Sequence, residues 1–156
     1  MAFIDNIGLD VHMDTIHKLQ SSIRADLVIH LPVRGIWRSI QQSKKTDIEA
    51  RKLTKFFGSV EGWKDIQDTA EIPAAYQACV QTGTAEDFQK FDPVYIRSKN
   101  QEFALCIYAR RTGGMSDGQA GWVASIGSLA EACNKFTPDI LESVLMVASG
   151  RQATLG

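Results

Sequence analysis

Residues 100–111, with the sequence NQEFALCIYARR, decide between two fold classes for this chain. As a helix, the segment begins at Asn100, ends near Gly113 and places its apolar side chains on one face. As a strand, it pairs with residues 94–96 in a hairpin. The apolar positions fit helical spacing better than alternation, so we predict a helix and keep one small β-hairpin near residues 94–110 as the alternative.

The chain before this segment has mostly helical spacing. Residues 26–31, with the sequence DLVIHL, are again compatible with either a helix or a strand. Asp10 is a favourable N-cap residue, and Pro32 permits a second helix start. Thr46 opens a capping box, and Gly58 supplies the stop of the helix that follows. These signals predict three successive helices in the first 58 residues.

Further helices are predicted downstream from the same kinds of signal. They cover residues 59–68, 73–82, 84–91, 122–136 and 138–149. We therefore predict a mainly α fold, a compact multi-helix, bundle-like single globular domain over residues 1–150. Residues 151–156 are predicted to be a flexible C-terminal tail.

Length and cysteine usage limit the class of protein. A chain of 156 residues suits one domain with its own core. Cys79, Cys106 and Cys133 lie far apart among apolar neighbours, which predicts buried thiols in a reducing compartment. Neither a signal peptide nor an apolar run of about 18 residues is visible. We expect a cytoplasmic protein with no membrane partner, no cofactor and no bound metal.

Charge is segregated along the chain, although the net charge is only −1. Residues 34–55 hold seven Lys or Arg against two acids, and residues 61–92 hold seven acids against two Lys. The seven basic residues are Arg34, Arg38, Lys44, Lys45, Arg51, Lys52 and Lys55. Opposite charges on one surface favour oriented association. We predict an intracellular protein-interaction or assembly module that forms a homo-oligomer or docks a partner protein through oppositely charged helical surfaces.

A nucleic-acid-binding, nucleoprotein-like function is the first alternative. The basic helices of residues 33–57, together with Arg110 and Arg111, provide cations for phosphate contacts. Trp37 lies among these cations, and an exposed aromatic ring there stacks on bases. The same tryptophan also fits the apolar stripe of its helix, which predicts a core position instead.

The second alternative is an enzyme or binder that acts on an anionic small molecule at a glycine-rich loop. Residues 110–121, with the sequence RRTGGMSDGQAG, combine two guanidinium groups with four glycines. Glycines let backbone N–H groups approach an anion, and arginine pairs well with phosphate or carboxylate. The spacing matches neither a P-loop nor GxGxxG. No catalytic residue is predicted, and binding is favoured over catalysis.

Overall fold

The computed structural model describes residues 2–6, 8–22, 26–82, 88–97, 102–110, 128, 131 and 132. Over these residues the chain forms a mixed α/β fold in which helices pack on one face of a sheet. The strands are β1 (Ala2–Asp5), β2 (Leu27–Leu31), β3 (Phe88–Lys90), β4 (Val94–Arg97) and β5 (Glu102–Arg110). The helices are α1 (Met13–Ser22), α2 (Val33–Ser43), α3 (Asp47–Phe57) and α4 (Glu71–Thr82).

The prediction of a mainly α, all-helical bundle is wrong, because the described residues contain a five-stranded sheet. Residues 102–110, predicted to be helical, are the strand β5, and the ambiguous segment 26–31 contains β2. The alternative hairpin does exist, since β4 pairs antiparallel with β5. It is one part of the larger sheet.

The burial pattern of β5 explains why helical spacing was misleading. Ala104, Cys106 and Tyr108 alternate along the strand and are fully or almost fully buried beneath the helices. The residues between them, Leu105 and Ile107, are also apolar and partly buried. When both faces of a strand are apolar, the polar–apolar alternation disappears and a short run resembles a helix.

The sheet joins one parallel pair to an antiparallel set. β1 and β2 are parallel and are connected through α1, whereas β5 runs antiparallel to β2 on its other side. β3 and β4 both pair with β5, with Lys90 opposite Tyr108 and Val94 opposite Leu105. Lys90 and Val94 are four positions apart, whereas their partners on β5, Tyr108 and Leu105, are three positions apart, so the register shifts by one residue between β3 and β4. Pro93, which has no N–H to donate, lies at this break.

Two predicted helices are replaced by other structure. Residues 59–68 form bends and turns, although Trp63 and Ile66 are buried as their spacing suggested. The indole Nε1 of Trp63 donates a hydrogen bond to Thr54 Oγ1 at 3.3 Å and so fixes this turn against α3. Residues 88–90 belong to β3 instead of a last helical turn.

The bounds of α3 agree with its predicted signals. Thr46 is the N-cap residue and Gly58, with φ of 85°, is the C-cap residue. The left-handed backbone at Gly58 suits glycine. The expected capping bond from the Thr46 hydroxyl is not made, and the buried residues of the helix, Leu53, Phe56 and Phe57, all lie in its second half.

The core lies between the inner face of the sheet and all four described helices. Phe56 and Phe57 of α3 contact Tyr76 of α4, with ring centroids 4.9 and 5.8 Å apart. Cys106 is buried and Cys79 is half-buried, and both are free thiols. Among the described residues, no helix combines the length and apolar character needed to cross a bilayer.

Several predictions fall outside the described residues. They include Cys133, the helices predicted over 122–136 and 138–149, and the tail of residues 151–156. Of the first of these helices the structure describes only residues 128, 131 and 132, which are helical and exposed. The single domain over residues 1–150 stays a prediction.

Candidate functional site

The basic side chains of α2, α3 and their connection form the first candidate surface. All seven are exposed: Arg34, Arg38, Lys44, Lys45, Arg51, Lys52 and Lys55. We call this set the basic surface. It arises because Val33, Ile36 and Ile40 bury the opposite side of α2, which leaves its polar residues facing outward. Trp37, a candidate stacking ring, packs against the core instead.

The acidic segment supplies a second surface. Glu61, Asp65, Asp68 and Glu71 are exposed in the turn after α3 and at the start of α4, and we call them the acidic surface. Asp68 Oδ1 accepts a hydrogen bond from the N–H of Ala70 at 2.7 Å, and Glu71 Oε2 accepts one from the N–H of Gln67 at 2.7 Å. Glu61 and Asp65 make no such bond among the described contacts.

The two charged surfaces do not neutralise each other within the described part of the chain. The basic surface contains one ion pair, between Lys52 Nζ and Glu49 Oε1 at 2.8 Å, and both residues lie on α3. The other ion pairs found over the described ranges join His30 to Asp5 and Arg97 to Glu102. No ion pair among them links a residue of the basic surface to one of the acidic surface.

A cleft of about 650 Å³ opens beside the basic surface. Its walls are the loop that follows β1 and the facing sides of α2 and α3. The lining residues are Gly8, Leu9, Asp10, His12, Gly35, Ser39, Gln42, Ile48, Glu49, Arg51, Lys52 and Lys55. The loop wall lies at the carboxyl end of a parallel strand, the place where open α/β sheets commonly bind ligands.

The loop wall is fixed to the sheet by a buried side chain. Asn6, which directly follows β1, is 1% exposed, and its Nδ2 donates a hydrogen bond to the His30 carbonyl at 3.0 Å. Asp5 Oδ1 lies 2.8 Å from His30 Nδ1 on the outer side of the same strand pair. Two residues further along, Gly8 has φ of 79°, a left-handed conformation that turns the chain toward α2.

One carboxylate of the cleft is neutralised locally. Lys52 lowers the pKa of the Glu49 carboxyl, and the Ser39 hydroxyl of α2 acts in the same direction more weakly. Glu49 is therefore ionised at neutral pH and offsets the charge of Lys52. Arg51 and Lys55, i and i+4 neighbours on α3, line the cleft without an ion-pair partner among the described residues.

A second cleft, of about 490 Å³, lies between α1, the turn after α3 and α4. Asp14 and Glu61 line it, and no Lys or Arg is among its lining residues in the described ranges. Gly62 and Cys79 also line this cleft. They lie close together, since a Cβ on Gly62 would be only 2.6 Å from Cys79 Sγ. The cleft is consequently negative where the first cleft is positive.

The remaining predicted site residues are described only in part. Arg110 is the last residue of β5 and pairs with Phe88 of β3. Arg111 and the rest of the glycine-rich loop 110–121 lie outside the described residues. The anion site at this loop stays a prediction. In the described ranges no group of three or more His, Cys, Asp or Glu side chains is placed to hold a metal ion.

Sequence reasoning did not place the loop wall beside the basic helices or Asp14 beside the acidic segment. Gly8, Asp10 and His12 reach the basic helices because β1 pairs in parallel with β2. The signal that points to this arrangement is the short run Ala2–Asp5, apolar except for its last residue, followed by Asn6 and a glycine two positions later. No family model, curated protein or solved structure matches this chain.

Proposed function

We propose that this protein is an interaction and assembly module in which the basic surface of one copy docks on the acidic surface of a second copy. One observation carries the proposal: over the described residues, the exposed charges of the two surfaces are not used in ion pairs with each other. Complementary potentials steer two such surfaces together and fix their orientation.

The docked surfaces differ from each other, so the contact is heterologous. A heterologous contact leaves one free basic and one free acidic surface at the ends of every complex that has not closed into a ring. Further copies add to these ends until a ring closes or a filament grows. We therefore expect assemblies larger than a dimer at sufficient concentration.

Exposed aliphatic side chains support docking on both surfaces. Ile48 is 62% exposed between the cations of the basic surface, and Val60 is 43% exposed directly before Glu61. Protein interfaces combine an apolar centre with a charged rim. Each surface thus offers an aliphatic contact beside its charges.

The second cleft, lined by Asp14 and Glu61, is the proposed binding site for a long cationic side chain. Its apolar lining residues Met13 and Phe57 suit the methylene stem of a lysine or arginine. Arg34 and Arg38, i and i+4 neighbours at the exposed start of α2, are the side chains we expect to insert.

The test is charge reversal with self-association as the measurement. The Arg34→Glu, Arg38→Glu variant should associate about tenfold more weakly than the native protein in sedimentation or light scattering at low salt. Adding Glu61→Lys and Asp65→Lys to the same chain should restore association, because the complementary charges are exchanged. Asp68 and Glu71 are left unchanged since they bond backbone N–H groups.

Lys18→Glu, Lys90→Glu is the matched control. Both lysines are exposed outside the basic surface, and the change in net charge is the same. This control should associate as the native protein does. A native protein that stays monomeric at low salt contradicts the proposal, and a monomer whose affinity for a single-stranded oligonucleotide falls steeply with salt favours the nucleic-acid alternative.

A further inference from the structure

The cleft between the loop after β1 and helices α2 and α3 is lined by residues other than the two arginines on which the docking proposal depends. Neither Arg34 nor Arg38 lines it, although both are central to the proposed docking. It instead gathers cations, an amide donor and a left-handed glycine around one volume. We propose that this cleft binds a phosphate-bearing small molecule of about nucleotide size.

The net charge of the lining residues favours an anion, because the Lys52–Glu49 ion pair contributes no net charge. Lys52 and Glu49 neutralise each other at 2.8 Å. Arg51 and Lys55 then oppose the single carboxylate of Asp10, which leaves the lining positive at neutral pH. The Nε of Arg51 donates a hydrogen bond to the Asp47 carbonyl at 3.4 Å, which orients the guanidinium group. Its two terminal nitrogens can then donate to a ligand.

The donor chemistry suits phosphate. A guanidinium forms paired hydrogen bonds to phosphate oxygens, and an ammonium adds a point charge. On the opposite wall, Gln42 of α2 supplies an amide group, whereas the Ser39 hydroxyl interacts with the Glu49 carboxylate. Apart from its chain neighbours, no described residue places an atom within 4 Å of the position of a Cβ at Gly8, so a ligand can approach the backbone there.

The size and rim of the cleft suit a body larger than a free ion. A volume of about 650 Å³ is in the range of small-molecule sites. Leu9 and the exposed Ile48 give the lining an apolar part that can cover a ring system. A nucleotide combines such a body with the phosphate that the cations require.

Titration calorimetry of the full chain with pyrophosphate, ADP and adenosine tests this proposal. We expect ADP and pyrophosphate to bind and adenosine to show no measurable affinity. Arg51→Gln, Lys55→Gln should weaken ADP binding about tenfold. Asp10→Asn should tighten it several-fold, because a like charge is removed from the lining.

Lys44→Gln, Lys45→Gln is the matched control, since both lysines are exposed on the basic surface but do not line the cleft. It should bind ADP as the native protein does. Equal weakening by both double variants overturns the proposal, as it indicates attraction to the surface as a whole. The proposal is also overturned if neither ADP nor pyrophosphate binds, even where an oligonucleotide does bind. Because Arg34 and Arg38 are untouched, failure here leaves the assembly test intact.

Discussion

The side-chain amide of Asn6 and the backbone carbonyl of His30 form a buried hydrogen bond of 3.0 Å that fixes the loop after β1 to the neighbouring strand β2. Asn6 Oδ1 is also buried and has no partner within the described contacts. The amide therefore acts as a donor at this position. The loop wall of the cleft beside the basic surface starts from this bond.

Asn6→Asp should lower the free energy of unfolding by about 2–4 kcal/mol at neutral pH, since a buried carboxylate would face a carbonyl oxygen. Asn6→Ala, which removes the bond without adding a charge, should cost about 1 kcal/mol. Urea unfolding of both variants measures the difference. Burial raises the pKa of the new carboxyl, so the variant should recover stability as the pH falls. Equal losses for the two variants at neutral pH would contradict this role.

Gly62 should not tolerate a side chain. A Cβ there would lie 2.6 Å from Cys79 Sγ and 3.0 Å from Phe57 Cβ, so Gly62→Ala should lower the free energy of unfolding by about 1–3 kcal/mol. Cys79→Ala in the same chain should recover part of that loss, which a double-mutant cycle measures.

Gly35→Ala is the control for this substitution. Its Cβ would meet Pro32 at 3.7 Å, an ordinary contact, in the interior of α2. Alanine there should raise the free energy of unfolding by about 0.5–1 kcal/mol. A double-mutant cycle with no coupling between Gly62 and Cys79 would show that a clash between these two residues is not the cause of the destabilisation by Gly62→Ala.

Alkaline pH should destabilise the fold through its buried acids. Burial raises the pKa of Cys106 to about 12, from an ordinary value of 9.0, and raises the pKa of the Tyr108 hydroxyl as well. The unfolded chain loses these protons first, so their stabilising effect is complete below the ordinary pKa values and is lost as the pH rises. Cys106→Ala should reduce the slope of unfolding free energy above pH 9.0 by up to about 1.4 kcal/mol per pH unit. Identical slopes for both proteins would refute the assignment.

The Glu49–Lys52 pair should be visible in an acid titration. Lys52 lowers the pKa of the Glu49 carboxyl, so its contribution to stability is present above the ordinary pKa and is lost as the pH falls through the lowered one. In Lys52→Gln the Glu49 carboxyl should titrate at higher pH, as followed by carboxyl chemical shifts. The stability change should stay below about 1 kcal/mol, because both residues lie at the surface. An unchanged Glu49 titration would mean that the pair does not persist in solution.

Local signals predicted what is local in this structure. Thr46 and Gly58 gave the two ends of α3, and the apolar stripe of α2 gave the side on which its cations are exposed. The basic surface follows from local geometry, since its residues lie on two neighbouring helices and in the short connection between them.

The sheet could not be predicted in the same way, because its pairs are distant in sequence. Ala2 pairs with Leu27, and Leu27 pairs with Tyr108, so no window of the chain contains both partners. The short segments 26–31 and 102–110 lack alternation, as both of their faces are partly buried. The cleft was missed for that reason: its loop wall is placed by the β1–β2 pairing.

The position of β5 between β2 and the β3–β4 side of the sheet also sets the order in which this chain can fold. Helices α1 to α4 are encoded before residue 83, but the strand that joins the two halves of the sheet ends at Arg110. The edge of β2 that faces away from β1 therefore stays unpaired until residues 104–108 of β5 have been synthesised. Such distant pairing slows folding, and the unpaired strand edge stays exposed to unwanted association until the pairing is complete.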